Sequence, residues 1–298
     1  MIELSGVTKI YDHQVVVDDV TLSIPAGGVT SIIGANGAGK STMLSMIARL
    51  LPSDAGSITV AGMDVSTVAS DRLARHLAIL RQENHMTMRL TVQDLVAFGR
   101  YPYSKGRLTP EDTFEIERHI QYFDLGGLRN RFIDQLSGGQ RQRAYVAMVM
   151  AQDTEFVLLD EPLNNLDMKH SVHMMRLLRR AADDLGKTIV IVIHDINFAS
   201  TYSDSIIAMK RGKIVAAGNS CDIMTTECLA NIYDMDIRII EVDGRRIGVY
   251  FGASGVRGTV QRSPQCGFGA ETALEVAVEV GVRRASGRLL PPAGLLRR

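Results

Sequence analysis

No apolar run in the chain approaches the roughly 20 residues needed to span a bilayer. The opening residues, MIELSGVTKIYDHQ, also lack the basic-then-apolar pattern of a signal peptide. A soluble, intracellular protein is therefore expected, one whose work at a membrane would pass through partners. Its three cysteines, Cys221, Cys228 and Cys266, form no CxxC pair. That spacing excludes a disulfide framework and a cysteine zinc site, and it points to a reducing compartment. Charge of one sign is missing too: 33 Lys and Arg balance 33 Asp and Glu, with a pI near 7.1. Such a balance argues against a basic nucleic-acid-coating protein and against an acidic disordered one. With 46% hydrophobic residues in 298, the chain has enough apolar mass for a sizeable core.

The even balance hides a shift in composition. From residue 253 to 298 there is no Lys, Asp, Asn, Ile, Met or Tyr, and seven Arg stand against three Glu. Glu271, Glu275 and Glu279 fall at helical spacing, yet the surrounding EVAVEVGV alternates like a strand. This tail is expected to be a poorly ordered extension that carries no function of its own.

The preceding residues read as an α/β domain. Val29–Ile33, Phe156–Leu159 and Thr188–Ile193 are short, nearly continuous apolar runs, which parallel strands covered on both faces require. His170 to Leu185 has helical periodicity (Val172, Met175, Leu178, Ala182) and stops at Gly186. Ile2–Val7, Val15–Val17 and Val20–Ile24 are expected as short antiparallel strands separated by turns. Thr91 to about Met150 reads as helices interrupted by a polar loop, Tyr101–Thr109.

Gly34-Ala35-Asn36-Gly37-Ala38-Gly39-Lys40-Ser41 fits GxxxxGK[ST], follows a strand and opens a helix expected over Thr42–Leu50. Glycines allow backbone N–H groups to turn towards phosphate oxygens, and the helix N-terminus adds partial positive charge. Lys40 is expected on the β and γ phosphates of ATP, and the Ser41 hydroxyl on Mg²⁺. Asp160 and Glu161 follow the second apolar strand. Asp160 would hold the metal through water, and Glu161 would act as general base on the attacking water. His194 ends the next strand, at the sheet edge where open α/β folds bind ligands, and is expected to sense the γ-phosphate. His170 and His173, at i and i+3, suggest a metal pair, but no third ligand is near in sequence and a solvated helix face is the better reading.

Leu136-Ser137-Gly138-Gly139-Gln140 lies between the P-loop and Asp160-Glu161. Together with Gln82, Asn165-Leu166-Asp167 and His194 in that order, it makes residues 2–252 resemble an ATP-binding subunit of an ABC transporter. The resemblance implies a P-loop NTPase core with a parallel sheet, an antiparallel β subdomain at the N-terminus, and an inserted α-helical signature subdomain at about 88–150. The ATPase domain would span 2–238, with 239–252 as the end of the family-like region. It also implies a homodimer in which Ser137, Gly138, Gly139 and Gln140, at the start of a helix over Gln140–Ala151, bind the ATP held by the second subunit. By the same resemblance Tyr11 would stack on adenine, although core packing is the alternative for a lone tyrosine. Thr42 would belong to the phosphate cradle, Gln82 would contact Mg²⁺ and the attacking water, and Asp167 would help shape the composite site. Leu163-Asn164-Asn165 departs from the Thr/Ser-rich form more common at that point.

Leu90–Tyr103, His194–Ala199 and Arg246–Phe251 are similar to ATPases of iron–siderophore importers, especially catecholate-type systems. That branch implies transmembrane permease subunits, a substrate-binding protein upstream of them, and a place on the cytoplasmic face of the cell membrane. Tyr101 and Tyr103 become candidates for permease contact, with packed surface aromatics as the alternative. A haem or cobalamin cargo remains open. Soluble repair and ribosomal ATPases of the family fit less well, because the chain has no heptad run and a single P-loop and LSGGQ.

Overall fold

The computed structural model describes residues 1–82 and 88–251, so the arginine-rich tail lies outside the described residues. The chain opens with strands β1 (Ile2–Tyr11) and β2 (Gln14–Ile24), then β3 (Gly28–Ile33) runs into helix α1 (Lys40–Ile47). β4 (Ala55–Val60), β5 (Met63–Asp64), α2 (Ser70–Leu73) and β6 (Leu77–Leu80) follow. Four helices come next: α3 (Val92–Phe98), α4 (Tyr101–Ser104), α5 (Pro110–Tyr122) and α6 (Gly138–Ala151). The chain then alternates through β7 (Phe156–Asp160), α7 (Met168–Leu185), β8 (Thr188–Val192), α8 (Ile196–Tyr202) and β9 (Ser205–Lys210). It closes with β10 (Lys213–Gly218), α9 (Ser220–Ile223), α10 (Thr226–Tyr233) and the hairpin β11 (Arg238–Val242)–β12 (Arg245–Val249).

The central sheet has the order β10-β9-β3-β8-β7-β6, parallel throughout except for the antiparallel edge strand β10. Strand alternation sorts its side chains onto two sides. Phe156, Leu158, Val190 and Val192 join α1 and the antiparallel sheet β2-β1-β4-β5 in one core. Val157, Leu159, Ile189 and Ile191 join α7, α8 and the helical subdomain in the other. Burial on both faces explains why β7 and β8 are apolar at nearly every position.

Three expectations change. Val15–Val17 and Val20–Ile24 form one strand, because the β1–β2 register shifts between Val7–Val20 and Lys9–Val17, with Asp19 at φ 48°. This bulge keeps the strand continuous while Asp18 N–H donates to Gly212 O and Asp19 N–H to the Thr8 hydroxyl. Tyr101–Ser104 is a helical turn rather than loop, with Pro102 in its first turn, where no N–H is needed. Helices α1, α6 and α7 each begin about two residues earlier than periodicity suggests. For α6 and α7, Ser137 and Asp167 are the capping residues, accepting from the amides of Gln140 and His170.

The helical subdomain is pinned by a buried ion pair. Arg100 Nε lies 2.9 Å from Asp112 Oδ1, and Arg100 Nη1 donates to Ala151 O, joining the end of α3 to the start of α5 and the end of α6. Both side chains are almost fully buried, at 5% and 2% exposure. Burial pushes the Asp112 carboxyl up, but the Thr109 amide, Arg100 and the Thr109 hydroxyl outweigh it and hold the group below the usual carboxylate range. The stabilisation from this carboxylate is therefore present above the ordinary aspartate pKa and lost as pH falls through the lowered one. Arg100→Met leaves Asp112 buried without its partner and should cost about 3–5 kcal/mol, read by denaturant unfolding. A loss under about 1 kcal/mol, the size of an exposed pair, would show that the ion pair does not hold the subdomain.

Candidate functional site

Parallel register brings three strand ends to one edge of the central sheet. Ile32 pairs with Val192, and Asp160 pairs with Val192 from the other side. The loop after β3, the acids at the end of β7 and His194 after β8 therefore emerge together, where open α/β sheets carry their ligands. They enclose a cleft of about 510 Å³ lined by Asn36–Thr42, Gln82, Glu161, Asn164 and His194.

The loop wraps the Lys40 ammonium, which donates to Gly34 O at 2.9 Å and Ala35 O at 3.0 Å. Burial pulls this ammonium below the usual lysine range, against the opposing pull of Glu161 and Asp160. Gly39 caps α1 in the left-handed region at φ 98°, and a Cβ there would lie 2.5 Å from Val16 O on β2. Both the backbone angle and the close approach demand glycine. The Gly212 amide donates to Ala38 O at 3.0 Å, so the β9–β10 turn supports the loop from behind.

Ser41 Oγ donates to Asp160 Oδ1 at 2.8 Å. Burial raises the Asp160 carboxyl above its usual range; the Ser41 bond opposes the rise and the adjacent Glu161 adds to it. A hydroxyl and a carboxylate side by side, in a cleft that penalises uncompensated negative charge, are the hard-oxygen donors that Mg²⁺ takes. These residues fit that ion.

Glu161 has a left-handed backbone, φ 50°, and its carboxylate is held on both oxygens. Oε1 lies 2.7 Å from His194 Nε2. Oε2 accepts from Gln82 Nε2 at 2.8 Å and from Asn164 Nδ2. Gln82 is thus turned to Glu161 rather than to the Ser41–Asp160 pair. Asn164 was not among the expected site residues; its signal lay in the unusual Leu163-Asn164-Asn165 stretch and in the turn where its amide meets Glu161 O at 3.2 Å.

Tyr11 stands 43% exposed beside an adjoining cleft of about 480 Å³ that shares Ser41, Thr42 and Gln82 with the first. Its exposure excludes core packing. The Lys9 ammonium lies 5.5 Å from the ring centroid. Ser137–Gln140 and Asp167 line neither cleft. Ser137 and Gln140 instead form a reciprocal cap on α6, Gln140 N–H to Ser137 Oγ at 3.3 Å and Ser137 N–H to Gln140 Oε1 at 3.0 Å. Asp167 accepts from the His170 amide at 2.8 Å and from His170 Nδ1 at 2.7 Å. His173 Nε2 lies 3.1 Å from Asp124 Oδ2. Both histidines keep about a third of their side chains in solvent, 35% and 37%, and each also has a surface partner.

A family model described as ABC transporter matches residues 17–164. The chain is 53% identical over 251 residues to the petrobactin import ATP-binding protein YclP of Bacillus subtilis (strain 168), covering 84% of this chain and 100% of that protein. It is 56% identical over 250 residues to the petrobactin import ATP-binding protein FatE of Bacillus anthracis, with the same coverage, 84% and 100%. Among solved structures it resembles a dimeric post-hydrolysis state of the ATP-binding cassette MJ0796 bound to ADP and Pi. That match has a TM-score of 0.65 at 28% identity and covers 74% of this chain and 99% of the other.

Gly39→Ala is expected to weaken ATP binding about tenfold or more, roughly 1.4 kcal/mol, in a fluorescent-nucleotide titration. Wild-type affinity in that variant would mean that the contact with Val16 does not fix the loop.

Proposed function

The chain belongs to the ABC transporter ATP-binding family, and on that premise we propose that it hydrolyses ATP to drive import of an iron–siderophore complex through a membrane permease. The observation that carries the cargo is its similarity to YclP and FatE over their whole length and 84% of this chain, both being named for petrobactin import. No helix among the described residues is long and apolar enough to cross a membrane. The proposal accordingly gives the solute path to permease subunits and delivery to a substrate-binding protein, with this chain seated on the cytoplasmic face as one half of a homodimer. The dimeric MJ0796 cassette supports the last element.

The residues divide the work by chemistry. The loop Gly34–Gly39 and Lys40 hold the β and γ phosphates, with the α1 N-terminus adding favourable charge. Ser41 and Asp160 would hold Mg²⁺, which when bound would offset charge on the phosphate oxygens. Glu161 accepts the proton of the attacking water. His194, Gln82 and Asn164 fix its carboxylate, so little reorganisation is needed at the moment of reaction. Tyr11 offers an exposed ring at the base-binding end. Ser137-Gly138-Gly139 of the second copy would close on the γ-phosphate, with α6 directing its N-terminus at the anion. Asp167 stands beside that junction.

Glu161→Gln should bind ATP as the wild type does, accumulate as a dimer, and lose about 100- to 10,000-fold in phosphate release. Rapid turnover by that variant would remove Glu161 from the base role. In a strain deleted for this gene, the wild-type chain should restore uptake of a labelled iron–siderophore complex and Glu161→Gln should not. Restoration of haem or cobalamin uptake instead would overturn the cargo while leaving the motor in place.

A further inference from the structure

We propose that His170 is a positioning residue that ties the Ser137-Gly138-Gly139 turn to Asp167 within one chain, so that both are presented to the second copy as a single body. The inference rests on the dimer reading above and adds a residue to it. A carboxylate only accepts hydrogen bonds, so Nδ1 of His170 carries the proton it shares with Asp167. The backbone amide of His170 bonds the same Oδ1, which leaves the ring little freedom. The fixed ring lies against the start of α6: a Cβ on Gly139 would come within 2.7 Å of its Cδ2 and 2.8 Å of its Cγ. A Cβ on Gly138 would lie 3.6 Å from Asn165 O. The signature turn therefore rests on the 165–170 segment through both glycines.

The same helix continues the seam. His173 meets Asp124 at 3.1 Å, and the Arg180 guanidinium lies 4.9 Å from the Tyr122 ring centroid. Those contacts join α7 to the end of α5, whereas His170 lies against the turn that would meet phosphate. His170 is not a core residue. Its side chain is 35% exposed, and the buried face of α7 is built from Met174, Met175, Leu177, Leu178, Ala181 and Ala182. Removing the ring should consequently spare the fold while loosening the turn.

His170→Ala, made alone and with Glu161→Gln, tests this. Melting temperature and ATP affinity of the monomer should stay near wild type, since the variant's own P-loop is untouched. The protein concentration for half-dimerisation with ATP and Mg²⁺, read by light scattering on the double variant, should rise about tenfold. Amide hydrogen exchange at 138–141 should quicken about tenfold, with the amides of 36–41 unchanged. His170→Gln can keep a bond to Asp167 without the flat ring and should fall between. Unchanged exchange at 138–141 would overturn the proposal, as would dimerisation equal to that of Glu161→Gln alone. Should Glu161→Gln with His170 intact stay monomeric, the dimer reading fails instead, and the exchange measurement still decides whether the tether exists.

Discussion

Two adjacent carboxylates at the end of one buried strand have to be compensated, and the cleft is organised around that requirement. Asp160 ends β7 and Glu161 follows it, and burial, with the neighbouring Glu161 charge adding to it, pushes the Asp160 carboxyl up. The sheet answers by register. β3 delivers Lys40 and Ser41 from one side, and β8 delivers His194 from between β3 and β7. The left-handed backbone at Glu161 turns the chain after Asp160, so the acids part, one towards Ser41 and the other towards His194, Gln82 and Asn164. Two carboxylates with different partners are thereby separated although their residues are consecutive.

The central α/β layer was legible because its signals are local. Strands apolar at nearly every position, a Gly-rich loop and a following helix lie within a few residues of one another, and parallel packing then fixes their neighbours. Periodicity was weaker at edges. It divided β2 at Asp18-Asp19, where the paired acids look like a turn, because a bulge compensated by Gly212 and Thr8 cannot be seen in one strand alone. It also treated Tyr101–Thr109 as loop, since the Arg100–Asp112 pair that shapes the segment spans two helices.

The candidate site divides along the same line. Gly34–Thr42, Asp160, Glu161 and His194 follow strand ends and could be located from sequence, and the resemblance added Gln82 and Tyr11. What sequence could not supply was partnership. Asn164 reads as a polar loop residue until its amide is seen on Glu161. For the half-solvated His170 and His173, sequence could not show the neighbours they meet, Gly139 and Asp124, which are distant in the chain. Ser137–Gln140 and Asp167 line neither cleft of the single chain, and their caps on α6 and α7 are local features that sequence does show.

The β1–β2 hairpin has a geometric consequence. Its two-residue turn, Asp12-His13, lies next to Tyr11, while Val16 a few residues along β2 abuts Gly39 of the phosphate loop. One rigid ribbon thus spans the gap between the exposed ring and the start of α1, with Gly212 bracing both Asp18 and Ala38. Such a ribbon works as a gauge block: an added or deleted residue between Tyr11 and Val16 would alter the distance between the exposed ring and Gly39 without changing either residue. Length there is constrained by the two contacts it separates, even where side-chain identity is free.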